Sequence, residues 1–412
     1  MKKNFSARKS RKKIIMIIVA VFVSVFVTLL ALELGCRSWL KYFVSKKKMT
    51  QYCEVNQVIR QPPKTRKYIR HHYLPFIPTP NYTNKKNRHN SLGYRGEEFE
   101  IPKPEGVFRI VLLGGSTTYS TAVEDYRKST AYVLQTFLRE NNKSLEVINA
   151  GCGRYSTWET LLNLVCRVLD TQPDLVIVYH GINDVHSRLV YPFEMYRGDN
   201  SGARVPYDPP QEKPIMQSAL IRWVATRLGY RKPIGGLAYL RTHDWLPMNF
   251  TLEFRDQKRN HTYPSGIFKK VSAEEMLARN KPIYFKQNLE NMVAVCGIHD
   301  IDIVLMTFAS SPHFTNHPLA SSPEYQHAFK EHNEVIREIC LQHQIPCHDF
   351  ARQMPKKVRY WTDGRHLNEE GAELKAKLMA EFLRESDLIP YTFQERQNNP
   401  AVIMELPITK NQ

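Results

Sequence analysis

The chain has 412 residues, room for one large domain or two ordinary ones, and its 42% hydrophobic and 11% aromatic content excludes a disordered chain. A net charge of +18 would suit a nucleic-acid partner, but its distribution argues against one. Residues 1–50 hold twelve Lys/Arg against one acid and residues 51–100 nine against four, which leaves only +2 for residues 101–412.

The basic excess has a local reason. The tail "MKKNFSARKSRKK" (1–13) precedes "IIMIIVAVFVSVFVTLLAL" (14–32), nineteen residues without a charge. At ~1.5 Å per residue this run reaches across a hydrocarbon layer of ~30 Å. A soluble core helix is rarely apolar on every face beside so many cations. The run is longer than a signal-peptide core and no A-x-A site follows it. In "ELGC", ahead of Cys36, Glu33 stands where a lipoprotein cleavage box wants an apolar residue. Residues 14–32 therefore read as an uncleaved transmembrane signal anchor. Seven Lys/Arg precede it, against Arg37, Lys41 and Lys46 to Lys48 behind it. That bias places residues 1–13 in the cytoplasm and the bulk of the chain on the periplasmic or extracellular side.

Residues 33–100 are rich in Lys, Arg, Pro, Tyr and Asn, and "QPPK" and "LPFIPTPNY" break both helix and strand. They are expected to form a stem that climbs from the membrane and wraps the domain. A domain over 101–390 follows, then a tail over 391–412. In the domain, short apolar runs ("FRIVLLGG", "LEVINAG", "DLVIVYHG", "DIVLMTFA", "IPCHDF") alternate with helical patterns. The segment from Ser156 opens with a capping box, Ser156 and Glu159, and the helix from "KPIYF" has Pro282 near its first turn. Alternating β and α predicts an α/β fold: a three-layer α/β/α domain with a five-stranded, mostly parallel sheet, added to the transmembrane helix. Residues 188–280 interrupt the alternation as one insertion after the third strand, near the sheet end where α/β proteins bind ligands. A substrate-selecting lobe and a decorative subdomain are equally open readings of it. The seven cysteines form no zinc pattern. Cys340 and Cys347 could bridge in an oxidising compartment, but two small buried thiols are the favoured reading.

The chemistry sits at strand ends. Ser116, in "VLLGGSTTYS", follows the first strand and lies near backbone N–H groups. No lysine makes this a phosphate loop, and Thr118 replaces the last glycine of a G-x-S-x-G elbow. Alone, such a serine is a helix cap. In "YWTDGRHLNEEG", Asp363 and His366 stand three residues apart. One loop can hold the carboxylate on His366 Nδ1–H and leave Nε2 to take a proton from a serine. Asn183, in "YHGINDV", offers an amide donor, and the glycines of "NAGCGRYST" let backbone approach a ligand.

Together these blocks resemble the SGNH/GDSL hydrolases: "GGST" with Ser116, "NAGCGRYST", "GIND" with Asn183 and "DGRH" with Asp363 and His366. The upstream "NSLGYRGEEFEIPKPEGVFRIVLLGGSTT" is similar to the membrane-anchored bacterial branch of that family. The resemblance covers roughly residues 90–185 and 281–385. It implies an SGNH-hydrolase-like sheet and a Ser116–His366–Asp363 triad. It also implies an oxyanion hole from Ser116, Gly153 or Arg154, and Asn183, with no metal or organic cofactor. Two positions depart from the pattern. Gly115 replaces the aspartate of the "GDS" form and is expected to tolerate alanine better than Ser116, because its side chain has no chemical role. The second block's usual glycine falls at Arg154, one position after Gly153, so either N–H could face the oxyanion, or Arg154 could meet an anionic substrate. The implied activity is a membrane-anchored esterase or deacylase acting on O-acyl esters of a small molecule, envelope glycan or lipid. An O-acyltransferase on the same site and a non-catalytic envelope scaffold are the alternatives.

Overall fold

The computed structural model describes residues 2–45, 51–52, 66–69, 71, 73–140, 142–198, 213–231, 249–314 and 316–390. It divides into two compact units, residues 1–61 with 205–241 and residues 62–204 with 242–412. The chain begins with α1 (Lys2–Tyr42), and its stretch Lys12–Tyr42 is long and apolar enough to cross a membrane.

The larger unit is built on a sheet. β1 (Phe108–Gly114) leads into α2 (Ser116–Tyr119) and α3 (Thr130–Arg139); β2 (Leu145–Asn149) leads into α4 (Thr157–Asn163); β3 (Leu175–Tyr179) leads into α5 (Ile182–Arg188). In the interrupting stretch, α6 (Ala219–Arg227) falls in the smaller unit, whereas α7 (Thr251–Arg259) and α8 (Ala273–Arg279) fall in the larger. Then come α9 (Ile283–Ile298), β4 (Asp302–Met306), α10 (Pro323–His343), β5 (Cys347–His348) and α11 (Glu369–Glu385). The strand order is β2-β1-β3-β4-β5 and every neighbouring pair is parallel. The expected five-stranded sheet is thus present, and parallel throughout.

Strand periodicity explains the layers. Ile110, Leu112, Ile177, Tyr179, Val304 and Met306 face one side, where α3 and α11 supply Leu134, Leu138, Met379 and Leu383. Val111, Leu113, Val176, Val178, Ile303 and Leu305 face the other, against Leu161 of α4 and Leu289, Met292 and Cys296 of α9. Both faces are covered, so the strands read as continuous apolar runs. Deleting one such side chain, as in Leu134→Ala, costs about 2–5 kcal/mol. The capping box forms as expected: Glu159 Oε2 accepts from Ser156 N at 2.8 Å and from Ser156 Oγ at 2.6 Å.

The stretch expected as a stem is divided. Residues 33–42 continue α1, while Leu74, Phe76, Ile77, Tyr82 and Tyr94 are buried in the larger unit. The insertion is divided too, since Phe250, Phe254, Met276 and Leu277 join the main core beside β3 and β4. In the smaller unit, Leu40 and Tyr52 pack with Ala219 of α6. Cys340 and Cys347 are free thiols; Cys53 and the expected tail over 391–412 lie outside the described residues.

Candidate active site

Ser116 is the first residue of α2, directly after β1, so the parallel sheet delivers its hydroxyl at the carboxyl edge of the strands. Gly114 has φ +157, and a Cβ there would meet Thr118 Oγ1 at 2.1 Å and Tyr179 O at 2.4 Å. Only glycine lets the chain turn from β1 into α2 at this spot. The second block presses on the same helix. A Cβ on Gly151 would lie 2.4 Å from Tyr119 N, and Cys152 N donates to Gly114 O at 2.9 Å.

Three side chains named from sequence form one chain of hydrogen bonds. His366 Nδ1 lies 2.8 Å from Asp363 Oδ2, and His366 Nε2 lies 2.8 Å from Ser116 Oγ. With Nδ1–H donating to the carboxylate, Nε2 is left to accept the serine hydroxyl. The loop holding Asp363 is itself fixed: its Oδ1 accepts from His366 N at 2.8 Å and Arg365 N at 3.2 Å. Gly364, at φ +80, brings backbone against Ser311, whose N–H donates to Gly364 O at 2.8 Å. Burial alone would raise the Asp363 carboxyl, but the hydrogen bonds and charge of His366, with Arg365 beside them, hold it well below the usual carboxylate range. It is an anion at neutral pH.

Asn183 is the second residue of α5, and its Nδ2 donates to Tyr155 O at 2.8 Å. That bond uses one amide hydrogen and leaves a second. A Cβ on Gly115 would lie 2.8 Å from this same Nδ2 and 3.1 Å from Tyr155 O. Gly115 carries no reacting side chain, yet an added methyl there would displace Asn183 or the second block. The Tyr68 hydroxyl lies over Gly153, where a Cβ would sit 2.6 Å from it, and burial keeps this phenol protonated well above its usual range. Arg154 follows in the left-handed region at φ 74 and is exposed. Thus Ser116, Asp363 and His366 meet directly, Asn183 meets the second block and Gly115, and Gly153 is engaged by Tyr68.

Several contributors were not legible beforehand. Arg95, 4% exposed, donates from Nη1 to Tyr119 O at 2.6 Å and Ser120 O at 2.8 Å, and from Nη2 to Val123 O at 2.7 Å. It therefore ties down the carbonyl end of the four-residue helix that starts at Ser116. Its only signal was its place in "NSLGYRG", within a strongly basic stretch. Asp184 Oδ1 accepts from Thr157 N at 2.9 Å and Thr157 Oγ1 at 2.7 Å, joining α5 to α4. His186 Nδ1 meets Tyr325 OH at 2.8 Å. Burial, then the positive charge of Arg365, Arg255 and Arg154, lowers His186 to about 3, so it stays neutral. Among the described residues, no three His, Cys, Asp or Glu side chains converge to hold a metal ion.

Comparison with known proteins adds to this geometry. Solved structures similar to the chain include the lipase/acylhydrolase from Enterococcus faecalis, at 17% identity over 68% of this chain and 97% of that one, TM-score 0.40. A putative acylhydrolase from Bacteroides fragilis is 15% identical over 70% of this chain and 92% of its own, TM-score 0.39. A putative lipolytic protein of the G-D-S-L family from Desulfitobacterium hafniense is 14% identical over 67% and 99%, TM-score 0.38. No curated protein matches the sequence. The family model of GDSL-like lipases and acylhydrolases matches residues 112–374, from within β1 into α11. With nearly two-thirds of its length under that match, the chain belongs to the GDSL-like lipase/acylhydrolase family and is a hydrolase of ester bonds.

Proposed function

We propose that the chain is a membrane-anchored serine esterase that removes acyl groups from O-acyl esters of an envelope glycan or lipid. The observation that carries the catalytic part is the unbroken Ser116–His366–Asp363 relay, both of whose contacts are 2.8 Å. The anchored part rests on the charge-free run in α1 behind its basic tail. On this reading residues 1–13 are cytoplasmic, 14–32 span the bilayer and the hydrolase unit lies outside the cytoplasm.

His366 Nε2 takes the Ser116 proton as Oγ attacks the acyl carbon, and the former carbonyl oxygen becomes an oxyanion. Asp363 holds the imidazolium that forms. His366 then gives its proton to the departing alcohol, leaving an acyl group on Ser116. Water, deprotonated by the same nitrogen, attacks this ester; carboxylic acid leaves and Ser116 regains its proton. The oxyanion hole is assigned to the Ser116 N–H, the free amide hydrogen of Asn183 and the Arg154 N–H. Arg154 is preferred to Gly153 because the Tyr68 hydroxyl crowds Gly153.

A fluorophosphonate, which phosphonylates activated serines, tests the assignment. Wild type should be labelled at Ser116, shown by peptide mass spectrometry, and Ser116→Ala should not be labelled. Labelling of another serine, or normal turnover of p-nitrophenyl acetate by Ser116→Ala, would sink it.

A further inference from the structure

We propose that the outer face of α6, carrying Leu220, Val224 and Leu228, lies in the lipid headgroup layer beside the anchor helix. This inference rests on the anchored reading above, and it assigns a partner to part of the insertion. Glu33 is the first charged residue after the run 14–32. Its carboxylate accepts from Ser218 Oγ at 2.7 Å, Ala219 N at 2.9 Å and Leu220 N at 3.0 Å, and from Arg37 Nε at 2.7 Å. A carboxylate on the first N–H groups of a helix is a strong cap. It fixes the start of α6 at the level where the charge-free run ends.

The next turn of α6 is fixed as well. Trp223 packs edge-on against Trp39, with ring centroids 6.2 Å apart at 84°. Trp39 lies six residues beyond Glu33, or about 9 Å further along the helix axis. A headgroup layer is roughly 5–8 Å deep on each side of the hydrocarbon. The helix α6 therefore starts at the inner boundary of that layer and meets Trp39 at about its outer edge, and tryptophan is favoured in this zone because one end of the ring is apolar and the other wet.

Its faces are sorted accordingly. Ala219, Arg222 and Ala225 are buried, and Ala219 packs with Leu40 and Tyr52. Leu220, Val224 and Leu228 recur every four residues on one side; Val224 and Leu228 are 37% and 66% exposed. Ile215 before the helix and Tyr230 after it are exposed at 58% and 83%. An apolar stripe this bare in water is unfavourable, but it suits the headgroup–acyl boundary. Exposed Lys213 and Arg227 flank it, and the carboxylate that contacts its first turn, Glu33, is already bound. The charge complements anionic headgroups.

Photocrosslinking of the full chain in vesicles of phosphatidylcholine and phosphatidylglycerol tests this. p-Benzoylphenylalanine is placed singly at Val27, Val224 or Leu228, and irradiated protein is analysed by mass spectrometry. Fluorophosphonate labelling of each sample reports that the hydrolase unit is folded. Lipid adducts at all three positions are expected. Adducts at Val27 but none at Val224 or Leu228, or adducts there only to protein, would overturn the inference and leave the anchor standing. No lipid adduct at Val27 would overturn the anchor and the inference together.

Discussion

Gly115 and Asn183 share one space: a Cβ on the first would sit 2.8 Å from Nδ2 of the second. The residue before the nucleophile is therefore held small by the proposed oxyanion donor. Gly115→Ala should lower kcat roughly 10–100-fold, short of the ~10²–10³-fold typical of losing an oxyanion donor outright. KM should hardly move, because the donor acts mainly on the transition state. Asn183→Ala should show the full loss, and adding Gly115→Ala to it should cost little more. Equal and additive losses in steady-state kinetics would show that Gly115 acts elsewhere.

The relay predicts strong non-additivity. Ser116→Ala and His366→Ala should each cost on the order of 10³-fold or more in kcat, and the double variant little more, because the residues act as a unit. Asp363→Asn should cost as much or less. Independent, multiplicative losses would break the relay.

Arg95 predicts a positioning effect distinct from simple destabilisation. It holds the carbonyls of Tyr119, Ser120 and Val123, and its guanidinium lies 4.7 Å from the Tyr119 ring centroid. Removing it leaves buried carbonyls without a donor, at about 1–3 kcal/mol each. Arg95→Ala should melt lower and label slowly with fluorophosphonate even at temperatures where circular dichroism shows it folded. Arg95→Lys, which keeps the charge but not the planar fork, should fall between. A folded Arg95→Ala protein labelling at the wild-type rate would leave Arg95 a purely structural residue.

Buried histidines set the acid limit of stability. Burial, partly opposed by the Thr79 carbonyl, lowers His89 to about 4; burial likewise lowers His348 to about 4 and His186 to about 3. The unfolded chain takes up these protons near 6.5. Between the two values the unfolded state binds more protons, so stability rises with pH in that window and is lost as pH falls from 6.5 toward 4. Each histidine should contribute on the order of 1 kcal/mol per pH unit there. Thermal melts from pH 7 to pH 4 should show the fall, and His89→Gln should make it shallower. A melting temperature constant down to pH 5 would contradict it.

The anchored reading predicts topology. An alkaline phosphatase fused after residue 60 should be active, because it folds only outside the cytoplasm. Activity of a cytoplasm-only reporter at the same junction would reverse the orientation.

The sequence by itself determined the layers and singled out the residues proposed to react. β3 is a run of apolar residues that only a sheet covered on both faces can bury, and each reacting block stands where such a strand ends. Asp363 and His366 are three residues apart, so local geometry already lets them pair. What the tertiary structure decided are relations between residues far apart in the chain. The 250-position separation of Ser116 and His366 closes only because β1 lies inside the sheet, between β2 and β3, while α11 packs beside α3. Arg95 reads as one more cation in a basic stretch until its carbonyl partners surround it. The crowding of Gly153 comes from a tyrosine 85 residues upstream, and the clash at Gly115 from an amide 68 residues downstream. Periodicity and caps are local, and a sequence states them. Close approach of backbone to a distant side chain depends on how the layers pack, and no spacing encodes it.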